Sequence, residues 1–175
     1  MILTEENKYY EINCENAVWA SDEHHTLYQK NANVLKDVDW LIETTDSILI
    51  VEYKNVKVYR HEESFNPLKD KYVDGVAKKF YDSLHYLTLL GKHKKNKYIY
   101  IVEYDNDDGV SRRLLRNRIK KKLPFKLQET VSDTIKLIES FQVFTIDEWN
   151  ENYPDFPVRR TNKPLKVYSS ERSKK

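Results

Sequence analysis

Residues 37–55 read DVDWLIETTDSILIVEYKN, and the fold turns on how that stretch pairs with itself. Ile48-Leu49-Ile50-Val51 is as apolar as a core strand, yet it runs directly into Glu52 and Lys54. Two strands are predicted, Asp37–Glu43 and Ile48–Lys54, with Thr44-Thr45-Asp46-Ser47 between them. A loop centred between Thr45 and Asp46 sets Asp39 opposite Glu52 and Asp37 opposite Lys54. Side chains alternate along a strand. Asp37, Asp39, Glu52 and Lys54 therefore share a face with Leu41 and Ile50, while Val38, Trp40, Ile42, Leu49, Val51 and Tyr53 line the other. TTDS is not a strong tight-turn sequence, and a one-residue slip would exchange the two faces.

In this register two carboxylates oppose each other. Cross-strand neighbours have Cβ atoms about 5 Å apart, and like charges there are destabilising. At a separation of about 4 Å the repulsion is about 4 kcal/mol for an effective dielectric near 20. Lys54 offsets part of it, and a divalent cation held by both carboxylates would offset more. Hard cations such as Mg²⁺ take oxygen ligands and keep several waters. A metal lowers the pKa of a bound water, and a neighbouring ammonium positions or deprotonates it. Asp39, Glu52 and Lys54 thus suit phosphodiester hydrolysis. The alternative is a plain salt bridge between Glu52 and Lys54 at a sheet end. Glu-x-Lys also occurs at Glu6-Asn7-Lys8, but only the second copy has an apolar strand before it and an aspartate strand upstream.

VDWLIETTDSILIVEYKN resembles the core of the PD-(D/E)xK nuclease superfamily, which includes restriction endonucleases and Holliday-junction resolvases. There an Asp on one strand is followed by Glu-x-Lys on the next. Asp39, Glu52 and Lys54 match that pattern, and no proline precedes Asp39, where Val38 stands. The resemblance implies an α/β, restriction-endonuclease-like mixed β-sheet flanked by helices. It implies Mg²⁺ or Mn²⁺ bound by Asp39, Glu52 and the Tyr53 backbone carbonyl, with Lys54 acting on the attacking water. A further acid on the first helix is common in the family; Glu15 is the first candidate, followed by Glu11 and Glu23.

The elements after the motif extend the pattern. NVKVY suggests a third short strand. Asn66 and Pro67 suit a helix start, and Val73, Val76, Ala77, Phe80, Leu84 and Leu87 make an apolar stripe at helical spacing. Gly91 stands where such a helix would end. Lys97–Tyr104 reads as a buried strand, and SRRLLRNRIKKKL as a basic helix beginning near Ser111. Phe141–Ile146 reads as a strand, with a short helix near DEWNENY. The first 36 residues carry no clear period. Residues 1–158 are expected to form one domain, with 159–175 a basic, mobile tail.

Arg112, Arg113, Arg116, Arg118, Lys120, Lys121 and Lys122 form a run without an acid. They are either a nucleic-acid-binding surface or a solvated face behind Leu115, Ile119 and Leu123, offset by Asp105, Asp107 and Asp108. His24-His25 lacks a third metal partner at recognisable spacing. No glycine-rich loop for cradling phosphates is present.

The net charge of +2 does not by itself announce a polyanion partner. A single cysteine, Cys14, excludes an intrachain disulfide and a thiolate zinc site. No secretory signal and no apolar run of membrane length is visible, so a cytoplasmic, reducing setting is expected. The expected activity is metal-dependent cleavage of nucleic acid, DNA ahead of RNA, by an endonuclease or a structure- or end-directed nuclease. A homodimer and a targeting protein are the further partners considered. The alternative is a nuclease-fold module without chemistry that binds nucleic acid or a protein.

Overall fold

Ile48, Ile50 and Glu52 point to one side of their strand, Leu49, Val51 and Tyr53 to the other, and all six are buried. A strand buried on both faces must lie inside a sheet covered by a layer on each side. The computed structural model describes residues 1–31, 34–56, 65–105 and 107–163. In chain order the elements are β1 (Ile2–Thr4), β2 (Tyr10–Asn13), β3 (Trp19–Ser21), α1 (His24–Asn31), β4 (Trp40–Glu43), β5 (Ser47–Asn55), α2 (Asp70–Leu89), β6 (Lys95–Glu103), α3 (Gly109–Lys120), α4 (Phe125–Val131), β7 (Ser140–Phe144), α5 (Ile146–Asn152) and β8 (Val158–Arg160).

The main sheet has the order β3-β4-β5-β6-β7, and β5 is its middle strand. β3, β4 and β5 pair antiparallel; β5, β6 and β7 pair parallel. The protein is thus a mixed α/β fold with a five-stranded mixed sheet flanked by helices. On one face Val73, Ala77, Phe80 and Leu87 of α2 and Leu115 and Ile119 of α3 pack against Leu41, Ile48, Ile50 and Tyr98. On the other, Trp149 of α5 joins Leu3, Ile12 and Val158 from the small antiparallel sheet β1-β2-β8 over Trp40, Ile42, Leu49 and Val51. Each such fully buried side chain contributes about 1.5–3 kcal/mol, so both layers hold β5 in place.

From Trp40 to Glu43 the predicted hairpin register is the observed one: Trp40 faces Val51, Leu41 faces Ile50 and Glu43 faces Ile48. The predicted pairs Asp39–Glu52 and Asp37–Lys54 lie outside this ladder, with Asp39 N–H on Val51 O and Asp37 on His25. Val38 departs from the predicted alternation and joins the α2-side cluster. The cause is an irregular strand start, where Asp39 N–H donates to Val51 O at 3.1 Å, one residue off the ladder. An offset of this kind turns the side chains before it.

The long helix begins later than predicted. Asn66 does not cap it; its Oδ1 accepts from Leu68 N–H at 2.9 Å in a turn, and Lys69 holds the cap position without a side-chain bond. Gly91 ends it as expected, with φ 66°, a conformation that costs glycine little. The basic helix starts two residues early because Asp108 and Ser111 form a reciprocal capping box. Thr145 and Glu148 do the same for α5. β1, β2, β3 and α4 were not predicted. The boundary at 158 also moves: Arg159 and Arg160, assigned to the tail, lie in β8 opposite Glu11 and Tyr10. The strand expected in NVKVY falls largely on residues 57–64, outside the described residues, as does the tail from residue 164.

Candidate functional site

The antiparallel ladder between β4 and β5 ends at Asp39, and its carboxylate takes over from the backbone. Asp39 Oδ2 accepts the Tyr53 N–H at 2.8 Å. Tyr53, expected to contribute its carbonyl, therefore meets the site first through its amide, which fixes one Asp39 oxygen. Glu52 comes from the β5 face that packs under α2 and is buried.

Lys79 of α2 meets Glu52 there. Its Nζ lies 2.7 Å from Oε1 and 2.8 Å from Oε2, so one ammonium bridges both oxygens. Burial raises the Glu52 carboxyl to about 8 although Lys79 pulls the other way, and Asp39 adds to the rise. Burial likewise raises Asp39 to about 6, against Lys79 and the Tyr53 amide, with Glu5 and Asp37 adding to it. Burial opposes the charge on Lys79 too, but Glu52 and Asp39 outweigh it and hold its pKa above the ordinary lysine value. The site therefore sets one secure cation against two carboxyls that resist ionisation.

Lys79 was not anticipated. It lies 27 residues beyond Glu52 in the chain, on a helix read only for its apolar stripe. The legible signal was polar residues at helical spacing beside that stripe, Lys79, Asp82 and Ser83. Asp82 is buried, accepts the Lys36 backbone N–H at 2.7 Å, and pairs with Lys78. One turn of α2 thus holds both Glu52 and the segment leading to Asp39.

Lys54 follows Glu52 by one alternation and lies on the same side of β5. Its Nζ stands 5.7 Å from the centre of the Phe65 ring, and Phe65 packs on the α2-side core. Asp37 faces α1: its Oδ2 is 2.7 Å from His25 Nδ1. His24 turns away into the core, where Nε2 bonds Val38 O at 2.7 Å and burial lowers its pKa. The two histidines do not converge on a common ligand.

The expected helix acid is not on a helix. Glu15 occupies an exposed turn after β2, where its N–H donates to Asn13 Oδ1 at 2.9 Å. Glu11 lies in β2 and Glu23 just before α1. Among the described residues no group of three or more His, Cys, Asp or Glu side chains could hold a metal ion. Asp39 and Glu52 are linked through charge: Lys79 acts on both, and Asp39 acts on Glu52.

The basic run is divided by its neighbours. Arg112 pairs with Asp107 and Glu148, Arg118 with Asp70, and Lys122 with Asp74 at 2.7 Å. Lys120 lies over the Phe125 ring. Asp108 caps α3 instead of neutralising it. Arg113, Arg116 and Lys121 are exposed, so the continuous basic face expected from the sequence is reduced to part of it. Among the described residues no helix is long and apolar enough to cross a membrane. No family model, no curated protein and no solved structure matches this chain.

Proposed function

We propose that the protein is a metal-dependent nuclease with a restriction-endonuclease-like fold, built on Asp39, Glu52 and Lys54. The observation carrying this reading is the pair of carboxyls, Asp39 and Glu52, at one end of one strand pair, both raised chiefly by burial and opposed by a single ammonium, Lys79. Two oxygen donors with raised pKa values fit a hard divalent cation, which adds charge where it is short and takes water for its remaining ligands. Bound there, Mg²⁺ or Mn²⁺ would supply Lewis acidity and a water of lowered pKa.

The protein's own groups have separate tasks. Asp39 is oriented by the Tyr53 amide and Glu52 by Lys79. Lys79 is a positioning residue that balances the acids and keeps Glu52 in one rotamer. Lys54, next on the same side of the strand, steadies charge on the phosphoryl oxygens and orients the attacking water. Arg113, Arg116 and Lys121 hold the nucleic-acid backbone at a distance from the chemistry.

A second reading rests on the same ion pair. Lys79 already occupies both Glu52 oxygens, as a structural salt bridge would, and the protein would then be a binding module without chemistry. Cleavage of plasmid, linear, branched and single-stranded substrates, with and without Mg²⁺ or Mn²⁺, separates the two. The nuclease reading expects metal-dependent cutting that Lys54→Ala abolishes while binding persists. Binding without cutting under any metal establishes the module. Equal cutting by Lys54→Ala removes Lys54 from the chemistry.

A further inference from the structure

Beside the carboxylate pair lies a cleft of about 350 Å³ whose walls differ in kind. Tyr28 and Leu35 give it an apolar side; His25, Gln29, Lys36, Asp37 and Lys79 give it a polar one. The polar groups are joined in a row. Asp37 Oδ2 lies 2.7 Å from His25 Nδ1, and His25 Nε2 lies 2.8 Å from Gln29 Nε2. With Asp37 accepting from Nδ1–H, Nε2 accepts from the Gln29 amide, so the ring's orientation and tautomer are set from both sides. The apolar wall is held from behind, where the Tyr28 hydroxyl donates to Asp82 O at 2.6 Å and its ring meets His24 and Tyr86 edge-on.

Two links tie this cleft to the carboxylates. Lys79 lines it with a side chain that is 28% exposed, while the same ammonium bonds Glu52, itself only 8% exposed. Asp37 lines it two residues before Asp39. A ligand in the cleft therefore lies next to any phosphate held at Asp39 and Glu52.

The chemistry of the walls selects the ligand. Lys36 and Lys79 would draw an anion, but Lys79 is already paired with Glu52, the Asp37 carboxylate faces the same space and one side is apolar, so a simple anion matches only part of the lining. A duplex is too wide for a space near the lower end of small-ligand pockets, which run from about 300 to about 1,000 Å³. A single flat heterocycle matches both walls, with faces that want apolar contact and an edge that offers donors and acceptors. Unpaired bases are recognised by this combination of stacking and edge hydrogen bonds. We propose, resting on the nuclease reading, that the cleft takes the base of one unpaired nucleotide beside the scissile phosphate, so that the substrate is a single strand or a frayed end. The base face lies along Tyr28 and Leu35, and its edge meets Asp37 and Gln29, which His25 holds in place between them.

The test is binding of labelled oligonucleotides to the full chain in EDTA, where cleavage cannot intervene. A 12-residue single strand, its duplex, and a series with one abasic position moved along the strand are compared. The single strand is expected to bind at least tenfold tighter than the duplex. One abasic position is expected to weaken binding by about 5- to 100-fold, the range of one base–aromatic stack. Leu35→Trp, which fills the cleft, is expected to bind the intact strand as weakly as wild type binds that abasic strand. Should Leu35→Trp lower the thermal midpoint, Gln29→Ala on the exposed side of α1 serves instead, weakening the intact strand several-fold and the abasic strand not at all. Equal affinity for duplex and single strand, an abasic series without a sensitive position, or no binding overturns the proposal. Cleavage is scored separately with Mg²⁺. Cutting of duplex without an abasic-sensitive position keeps the nuclease reading and overturns the cleft; an abasic-sensitive strand that is never cut supports the cleft and overturns catalysis.

Discussion

Glu43 and Glu52 lie at opposite ends of one strand pair, both buried and both bonded to lysine. Glu43, at the hairpin end, has two ammonium partners, Lys92 and Lys94. Lys94 also donates to Thr44 O at 2.8 Å, and Lys92 stands 4.4 Å from the centre of the Trp19 ring. The bonds from Lys92 and Lys94 hold the Glu43 carboxyl below the ordinary glutamate range. At the far end the ratio is reversed: burial raises both Glu52 and Asp39, and the single ammonium of Lys79 opposes that rise for the two of them. Burial differs too: it is the first cause of the rise at Glu52, whereas at Glu43 the two lysine bonds outweigh it. Deeper burial together with fewer cations per carboxylate separates the far end from the closed lock at Glu43.

That contrast can be broken most directly through activity. Glu52→Gln or Asp39→Asn is expected to reduce cleavage by about 10²- to 10³-fold, the scale of removing one charge-stabilising group. Glu43→Gln should leave cleavage per folded molecule unchanged. Comparable losses in all three would erase the distinction between the two ends.

Stability should respond with opposite signs. A carboxyl raised in the fold binds its proton more tightly than the unfolded chain does. For Glu52 the folded state therefore loses stability as pH rises from the unfolded value of about 4.3 towards about 8. Glu52→Gln imitates the protonated form and should raise the thermal midpoint at pH 8, with the gain shrinking towards pH 5. Glu43 is lowered, so its contribution is present above the unfolded pKa and is lost as pH falls through the folded one. Glu43→Gln should cost about 1–3 kcal/mol at pH 8, the range for losing charged hydrogen bonds. Melting curves of both variants at pH 5 and 8 decide the matter, and a lower midpoint for Glu52→Gln at pH 8 would sink the argument.

A smaller effect sharpens the same point. Mn²⁺ at ten times its dissociation constant should add about 1.4 kcal/mol to the wild type if it binds only the folded state. Glu43→Gln should retain that gain and Glu52→Gln should lose it. A gain that survives Glu52→Gln puts the ion elsewhere. Smallest in free energy is the surface term. Replacing Arg113, Arg116 and Lys121 together should flatten the log–log salt dependence of single-strand binding by about 2, near 0.7 for each phosphate no longer neutralised. Arg118→Ala should instead act on stability through its bonds to Asp70 and Leu68.

The middle of the fold was legible because it is periodic. Ile48 to Val51 and the stripe from Val73 to Leu87 carry strong patterns, and the hairpin register followed from placing the loop. Val38 was misplaced because an irregular hydrogen bond at Asp39 leaves no mark in composition. The small sheet was missed because ILT, YEIN and VRR are too short to show a period and gain their burial only from one another. Asp39 and Glu52 stand out in the sequence as acids at the ends of apolar strands, but Lys79 does not, since only the packing of α2 on β5 brings it there. The basic run misled for the same reason: Asp70, Asp74 and Glu148 are remote in sequence and adjacent in space.

Lys79 and Asp82 occupy one turn of α2, the first gripping Glu52 and the second the backbone at Lys36. The two acidic arms of the site are thereby referenced to a single rigid ruler. A tilt or slide of α2 as a body carries both grips together and changes their mutual spacing little. The helix phase is a different matter. One residue inserted between Lys79 and Asp82 would rotate one grip against the other by about 100°, so the site should tolerate substitution along this helix far better than a change in its length.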